Sequence, residues 1–193
     1  MPVNTEEFTQ LCKDLEHFET PKWAAERILE VEMLGLSALD PCAGSGILGT
    51  AAIRAGYRLE EWDIHKWGEH ITGIIDFTDK AAMEAIDLEG YTVFMNPPFS
   101  KAQEFVNMAL DKGARKIICF QRFAWWESRK RRAFWNQYPP NRVYICGERA
   151  DCWRHDIPHD QRGSSTPTAH AWFVWERGQP PGTLLGHIYK ENA

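Results

Sequence analysis

No apolar run in this chain approaches the roughly 18 residues needed to cross a membrane. The opening MPVNTEEF lacks the basic start and apolar stretch of a secretory leader. The expectation is therefore a cytoplasmic protein with no membrane partner. Cysteine is sparse as well: the five thiols are an odd number without disulfide-like spacing, which fits a reducing compartment. Cys146, Cys152, His155 and His159 are metal-ligand types, but C-x5-C-x2-H-x3-H matches no common zinc site, so no metal is expected. Internal repeats and low-complexity stretches are absent. A chain of 193 residues with no break in composition reads as one domain: N-terminal helices over 1–35, a core over 36–177 and a tail over 178–193. Nothing in the sequence bears on the oligomeric state.

An excess of positive charge is also missing. The formal net charge is −5, which by itself argues against a polyanion binder. Its distribution argues the other way. Residues 115–149 hold nine Lys or Arg and only two acids, and six of the nine tryptophans fall between Trp125 and Trp175. Arg122, Arg129, Lys130, Arg131 and Arg132, with Trp125 and Trp126, are the candidates for a nucleic-acid-facing surface. A solvated helix face and core tryptophans are the plainer alternatives.

What is present reads as alternating helices and strands. Apolar spacing predicts a helix over 4–18, and Thr20-Pro21 reads as a cap and first position of a second helix running to Met33. Strands are expected at 36–39, 57–64, 71–75, 91–95, 116–120, 142–146 and 169–175. Helices are expected at 47–55, 80–86 and 125–138, and from Ser100, where Ser100 and Gln103 fit a capping box. The polar stretch 147–168 reads as a long functional loop, and the tail as a surface wrap.

Two turns carry the chemistry. The first strand runs into Asp40-Pro41-Cys42-Ala43-Gly44-Ser45-Gly46, and a helix follows. Glycines let the backbone approach a ligand, and the helix start offers free N–H groups. Gly44, Gly46 and Gly49 form a literal G-x-G-x-x-G, and Asp63 lies seventeen residues after Gly46, so a nicotinamide-dinucleotide fingerprint is one reading. Asp40 counts against it, because an acid before the glycines repels a pyrophosphate but suits a cationic amino group. The second turn is Asn96-Pro97-Pro98-Phe99 after an apolar strand. The prolines end the sheet ladder and stiffen the chain, so an amide, a carbonyl and an aromatic ring project together. That set can hold a planar group bearing an NH2.

The order Asp40 to Gly46, Asp63, Asp76-Phe77, Asn96-Pro97-Pro98-Phe99 resembles that of S-adenosylmethionine-dependent adenine-specific DNA methyltransferases of the small phage or prophage type. Thr20-Pro21 resembles their N-terminal cofactor motif and residues 169–175 one of their strands, so the resemblance covers most of 18–177. It implies an α/β, Rossmann-like, doubly wound and mostly parallel seven-strand sheet with an N-terminal helical extension. It also implies S-adenosylmethionine as cofactor, held by Thr20, Asp40, Cys42, Ala43, Gly44 and Gly46, with Asp63 on the ribose and Asp76 and Phe77 at the adenine. By the same resemblance Asn96 and the Pro97 carbonyl accept hydrogen bonds from the target amine, Pro98 stiffens the turn and Phe99 stacks on the base. A base inside a duplex is out of reach, so a flipped or unpaired base is implied. The same turn suits an RNA adenine or a protein glutamine amide methyltransferase. A nicotinamide oxidoreductase and an inactive binding module are further alternatives. With no room for a separate recognition domain, specificity is expected from loops 122–135 and 147–168.

Overall fold

The computed structural model describes residues 5–163, 168–180 and 182–190. Two helices open it, α1 (Thr5–Asp14) and α2 (Lys22–Val31). The first stops short of the expected residue 18 because Glu16 adopts φ 48°, a left-handed conformation that no α-helix continues. Residues 15–20 then cross the molecule as an irregular segment. The Thr20 side chain does not cap α2, which starts from Pro21; Thr20 is buried instead.

The remaining elements alternate: β1 (Ala38–Asp40), α3 (Ile47–Arg54), β2 (Glu60–Asp63), β3 (Gly73–Ile74), β4 (Thr92–Met95), α4 (Ala102–Asp111), β5 (Lys116–Arg122), α5 (Arg132–Gln137), β6 (Arg142–Cys146), β7 (His170–Glu176) and β8 (Leu184–Ile188). They build one eight-stranded sheet in the order β3-β2-β1-β4-β5-β7-β6-β8. Every pairing is parallel except those of β7, which runs against β5 and β6.

Four further expectations need correction. The tail supplies β8, an eighth strand in parallel register with β6 from Leu184↔Arg142 to Ile188↔Cys146. Leu184 and Leu185 stay exposed and Ile188 alone of this strand is buried in the core, so ladder hydrogen bonds supply most of what places it. Residues 80–86 form successive turns; only Met83 there is buried, too little to anchor a helix face. The helix expected over 125–138 is broken into 3-10 turns at Phe123–Trp125 and Arg129–Arg131 and then α5, because Ser128 is extended at φ −155°, ψ 118°. The Ser100 side chain does not cap α4: Lys101 occupies the cap position, and the Ser100 N–H donates to Glu16 Oε2 at 3.1 Å.

Side chains on central strands alternate between two cores, as a period of two requires. Val93, Met95, Ile117, Cys119 and Phe173 pack with Phe105, Val106 and Ala109 of α4 on one face. Phe94, Ile118, Phe120, Trp172 and Val174 pack with α2 and α3 on the other. The Trp172 indole donates to the Ala24 carbonyl at 3.1 Å, fastening α2 to the sheet. At the strand ends away from the two turns, buried Glu32 receives Lys116 Nζ at 2.9 Å, Arg142 and the Tyr144 hydroxyl at 3.0 Å. Burial alone would push the Glu32 carboxyl up, but the Arg142 and Lys116 hydrogen bonds outweigh it and hold it below the usual range.

Candidate functional site

Strand order reverses beside β1: the chain moves outward through β2 and β3, then returns to β4 on the other side. The crevice outside the carboxyl ends of such strands is where open α/β sheets bind ligands. Asp40 ends β1, Asp63 ends β2, and Asn96 follows β4, so topology alone gathers them there.

The glycine turn is built as its composition requires. Gly44 and Gly46 have φ 53° and 75°, and a Cβ on Gly44 would lie 2.6 Å from His17 Nε2. Asp63 holds the turn: its Oδ2 accepts the Gly44 N–H at 2.9 Å and its Oδ1 the His65 N–H at 3.0 Å. The Gly44 carbonyl lies 2.9 Å from His70 Nε2. Asp40 Oδ1 accepts the Cys42 N–H at 3.0 Å, closing the corner out of β1.

A cleft runs over this turn, lined by Thr20, Asp40, Cys42, Ala43, Gly44, Asp63, Asp76, Phe77, Asn96 and Pro98. Gly46 lies at its edge as the cap residue of α3. The cleft is acidic and poorly solvated. Burial drives the Asp40 carboxyl well above its usual range, with Glu61 and Asp63 adding to the effect against the Cys42 N–H. Burial also raises Asp63, against the N–H groups of Gly44 and His65. Asp76 goes the other way: its burial is outweighed by Thr78, whose hydroxyl and N–H donate to Oδ1 at 2.7 and 2.9 Å. Cationic or N–H-bearing ligand groups would relieve the two raised carboxyls. Phe77 is 1% exposed and stacks on Phe105, so its ring belongs to the core as well as to the cleft wall.

The Asn96 side chain is fixed by its own nitrogen. Nδ2 donates to the Phe18 carbonyl at 3.0 Å, which leaves Oδ1 buried without a partner. An unsatisfied buried acceptor costs about 1–3 kcal/mol, so this oxygen is one that an N–H donor would satisfy. Phe99 is covered: its ring stacks on Phe18 at 5.3 Å and 24°, and the Arg122 guanidinium sits 4.4 Å from its centroid.

Sequence reasoning missed the wall formed by residues 14–19, which lines the cleft opposite the glycine turn. This segment is tied to the stretch after β6. The Glu19 N–H donates to Trp153 O and the His155 N–H to His17 O, both at 2.9 Å. The Glu19 carboxylate meets His155 Nδ1 at 2.6 Å and Arg162 at 2.8 Å. His155 is thus used in fastening the wall. Beyond Phe18 lies a second cavity, lined by Glu16, Phe18, Phe99, Ser100, Gln121, Arg122, Ala124, Trp125 and Arg131. Glu16, Phe18 and Ser100 line both cavities.

The basic segment divides. Arg115, Lys116 and Arg142 belong to the ion cluster around Glu32 and Glu176. Arg122, Arg129, Lys130 and Arg132 are exposed, and Arg131 is half-buried, its Nε donating to the Trp125 carbonyl at 3.1 Å. Trp125 is 5% exposed, edge-on to Trp135 and Phe173, and Trp126 is half-buried against the same Phe173. Both tryptophans are therefore chiefly packing residues, and only Trp125 reaches the second cavity.

No family model matches the chain, and no curated protein does. Solved structures do. An O-methyltransferase predicted for Agrobacterium tumefaciens superposes with TM-score 0.57 at 14% identity, over 89% of this chain and 86% of that one. A candidate class I S-adenosylmethionine-dependent methyltransferase from Listeria monocytogenes gives 0.53 at 11%, over 97% and 65%. A candidate RNA methyltransferase from Pyrococcus horikoshii gives 0.52 at 14%, over 91% and 98%. At these identities the likeness is one of architecture, and the chain has the class I methyltransferase fold.

Proposed function

We propose that the protein transfers a methyl group from S-adenosylmethionine to the exocyclic amine of adenine in DNA. The observation that carries this is the buried, unpartnered Asn96 Oδ1, in an amide oriented by the bond from Nδ2 to the Phe18 carbonyl. An acceptor fixed in that way calls for an N–H donor, and an amino group supplies two.

The cleft suits the cofactor in the chemistry of its donors. Asp40 and the Gly44–Gly46 turn would hold the amino-acid end, Asp63 the ribose and Asp76 the adenine amine, with Thr20, Cys42, Ala43 and Phe77 as walls. When bound, S-adenosylmethionine supplies an electrophilic methyl on a sulfonium sulfur, and transfer leaves a neutral thioether. The chain does the rest. An adenine amine is a weak nucleophile because its lone pair is delocalised into the ring. Asn96 Oδ1 and the Pro97 carbonyl, accepting from the two amine hydrogens, favour a localised lone pair and stabilise the positive charge that develops on nitrogen. The alkylated nitrogen is acidic and releases its extra proton to water, so no side chain is assigned as base. Phe99 would stack on the base, and exposed Arg122, Arg129, Lys130 and Arg132 would meet phosphates.

The test is radiolabelled methyl transfer to duplex DNA, single-stranded DNA, RNA and a protein extract, with Asn96→Ala beside the parent. Label is expected in DNA adenine, with Asn96→Ala reduced at least about 100-fold at unchanged donor affinity. Label in RNA or in protein glutamine alone would replace DNA as the substrate. Equal activity in Asn96→Ala would remove the mechanism.

A further inference from the structure

We propose that the second cavity is an anion site that grips a phosphate of the methyl acceptor, one flanking the target nucleotide, through Gln121, Arg122 and Arg131. This deepens the function proposed above and rests on it. Gln121 closes the buried part of β5 and is 1% exposed, after the core residues Ile117, Ile118, Cys119 and Phe120. Its Oε1 accepts the Arg122 N–H at 2.9 Å, and because that group can only donate, the amide's orientation is fixed. Nε2 is left buried with no partner, in a residue that lines the second cavity. An unpaired buried donor calls for an acceptor, and the charge of the same wall decides which kind.

Arg122 and Arg131 line the cavity with Gln121, against one acid, Glu16, whose Oε2 takes the Ser100 N–H. Aromatic faces of the same wall brace both guanidiniums. Arg122 Cζ sits 4.4 Å from the Phe99 centroid, and Arg131 Cζ 5.9 Å from that of Trp125, with Arg131 Nε on the Trp125 carbonyl. Arg131 is half-buried, and burial lowers it below the ordinary guanidinium value with no carboxylate offsetting the effect. Two braced cations and a buried amide donor on one wall suit oxygen acceptors that carry negative charge, and the guanidinium fork matches phosphate geometry. The cavity measures about 430 Å³, the size of a ligand site rather than of a single small ion. Phe99, the ring assigned to the base, belongs to this wall, so the phosphate held here is one next to the target nucleotide. Phosphate contacts position a strand without reading it, and a gripped phosphate holds the backbone while its base leaves the stack.

The experiment measures binding of fluorescent single-stranded oligonucleotides by anisotropy, without methyl donor, so that it reads the site apart from the reaction. Each oligonucleotide carries one adenine in a thymine run, and a neutral methylphosphonate replaces one linkage at a time around it. In the parent, one linkage beside the adenine should cost about 10–100-fold in Kd when neutralised, and distant ones little. Gln121→Met, similar in length but without the donor, and Arg131→Gln should each lose most of that sensitivity. Arg131→Gln should also reduce the slope of log Kd against log salt by about 0.7, and Gln121→Met should leave the slope unchanged. Methyl-donor affinity by calorimetry, equal to the parent's in both, shows that they fold. Equal cost at every linkage, or parental sensitivity in both variants, would overturn the site and leave the function standing. Gln121-dependent binding of inorganic phosphate with no linkage effect would overturn the strand as its occupant. A linkage effect in a protein that methylates no nucleic acid would remove the function and leave the site.

Discussion

The Asn96 side-chain nitrogen donates to the Phe18 carbonyl at 3.0 Å, joining the turn after β4 to the segment that leaves α1. The contact fixes the amide and also seals it, since the Phe18 ring lies on Phe99. Phe18 thus covers with its ring the Phe99 face assigned to a target base, while its carbonyl takes Asn96 Nδ2 and leaves Oδ1 for the amine. Stacking of a base on Phe99 requires the Phe18 ring to yield. Phe18→Ala leaves the backbone carbonyl and removes the ring. An aromatic pair is worth about 0.5–1.5 kcal/mol, so KM for the methyl acceptor should fall by about 2–10-fold. Steady-state kinetics check this, and an unchanged or higher KM would show that Phe18 supports the site rather than covering it.

Gly44 tests how closely the same segment is fitted to the cofactor turn. An alanine there meets two obstacles: φ 53°, and a Cβ 2.6 Å from His17 Nε2. The backbone component costs about 1–2 kcal/mol. Gly44→Ala should lower Tm by about 2–8 °C for a chain of this size and weaken donor binding. His17→Ala in that background should recover the steric part and leave the backbone part. Strict additivity of the two substitutions by calorimetry would show that His17 does not press on the turn.

Acid should loosen the molecule from both sides of the site. Burial lowers His17 to about 4, with His155 adding to it, and burial followed by Arg122 lowers His170 to about 4. Both are neutral in the fold, whereas the unfolded chain takes up a proton near pH 6.5. The unfolded state therefore binds more protons between these values, and stability rises with pH across that window. It should be complete above about pH 6.5 and fall progressively towards pH 4. Urea unfolding of the parent and of His170→Phe, which keeps a ring against Phe120, checks this. The variant should show a shallower decline.

The strand–turn–helix segments were legible because each obeys a local rule. Asp40 to Gly46 needs positive φ at two glycines, and Asn96-Pro97-Pro98 must stop a ladder. The topology then brings their distant chain positions to one crevice. The wall over that crevice was not legible. Phe18 continues the apolar spacing of α1, and nothing local reveals that Glu16 turns left-handed and carries Phe18 onto Phe99. The basic density over 115–149 misled in part, because Arg115, Lys116 and Arg142 answer Glu32 and Glu176, acids remote in sequence.

That ion cluster gives the clearest stability test away from the site. Glu32 is 3% exposed and holds Lys116, Arg142 and the Tyr144 hydroxyl at once. Glu32→Gln keeps the shape and leaves buried Lys116 and half-buried Arg142 with Glu176 as their one remaining carboxylate, which costs up to about 3–5 kcal/mol. The pH dependence has a definite sign. The Glu32 carboxyl is held below its ordinary value, so its contribution is fully present above the unfolded carboxylate range and is lost as pH falls through the depressed one. Urea midpoints at pH 7 should therefore differ strongly between parent and Glu32→Gln and converge as both are acidified. Methyl-donor affinity at pH 7 should be unaffected in whatever fraction remains folded, because the cluster sits at the strand ends opposite the cofactor cleft. A difference that persists into acid would mean that Glu32 acts through packing rather than charge.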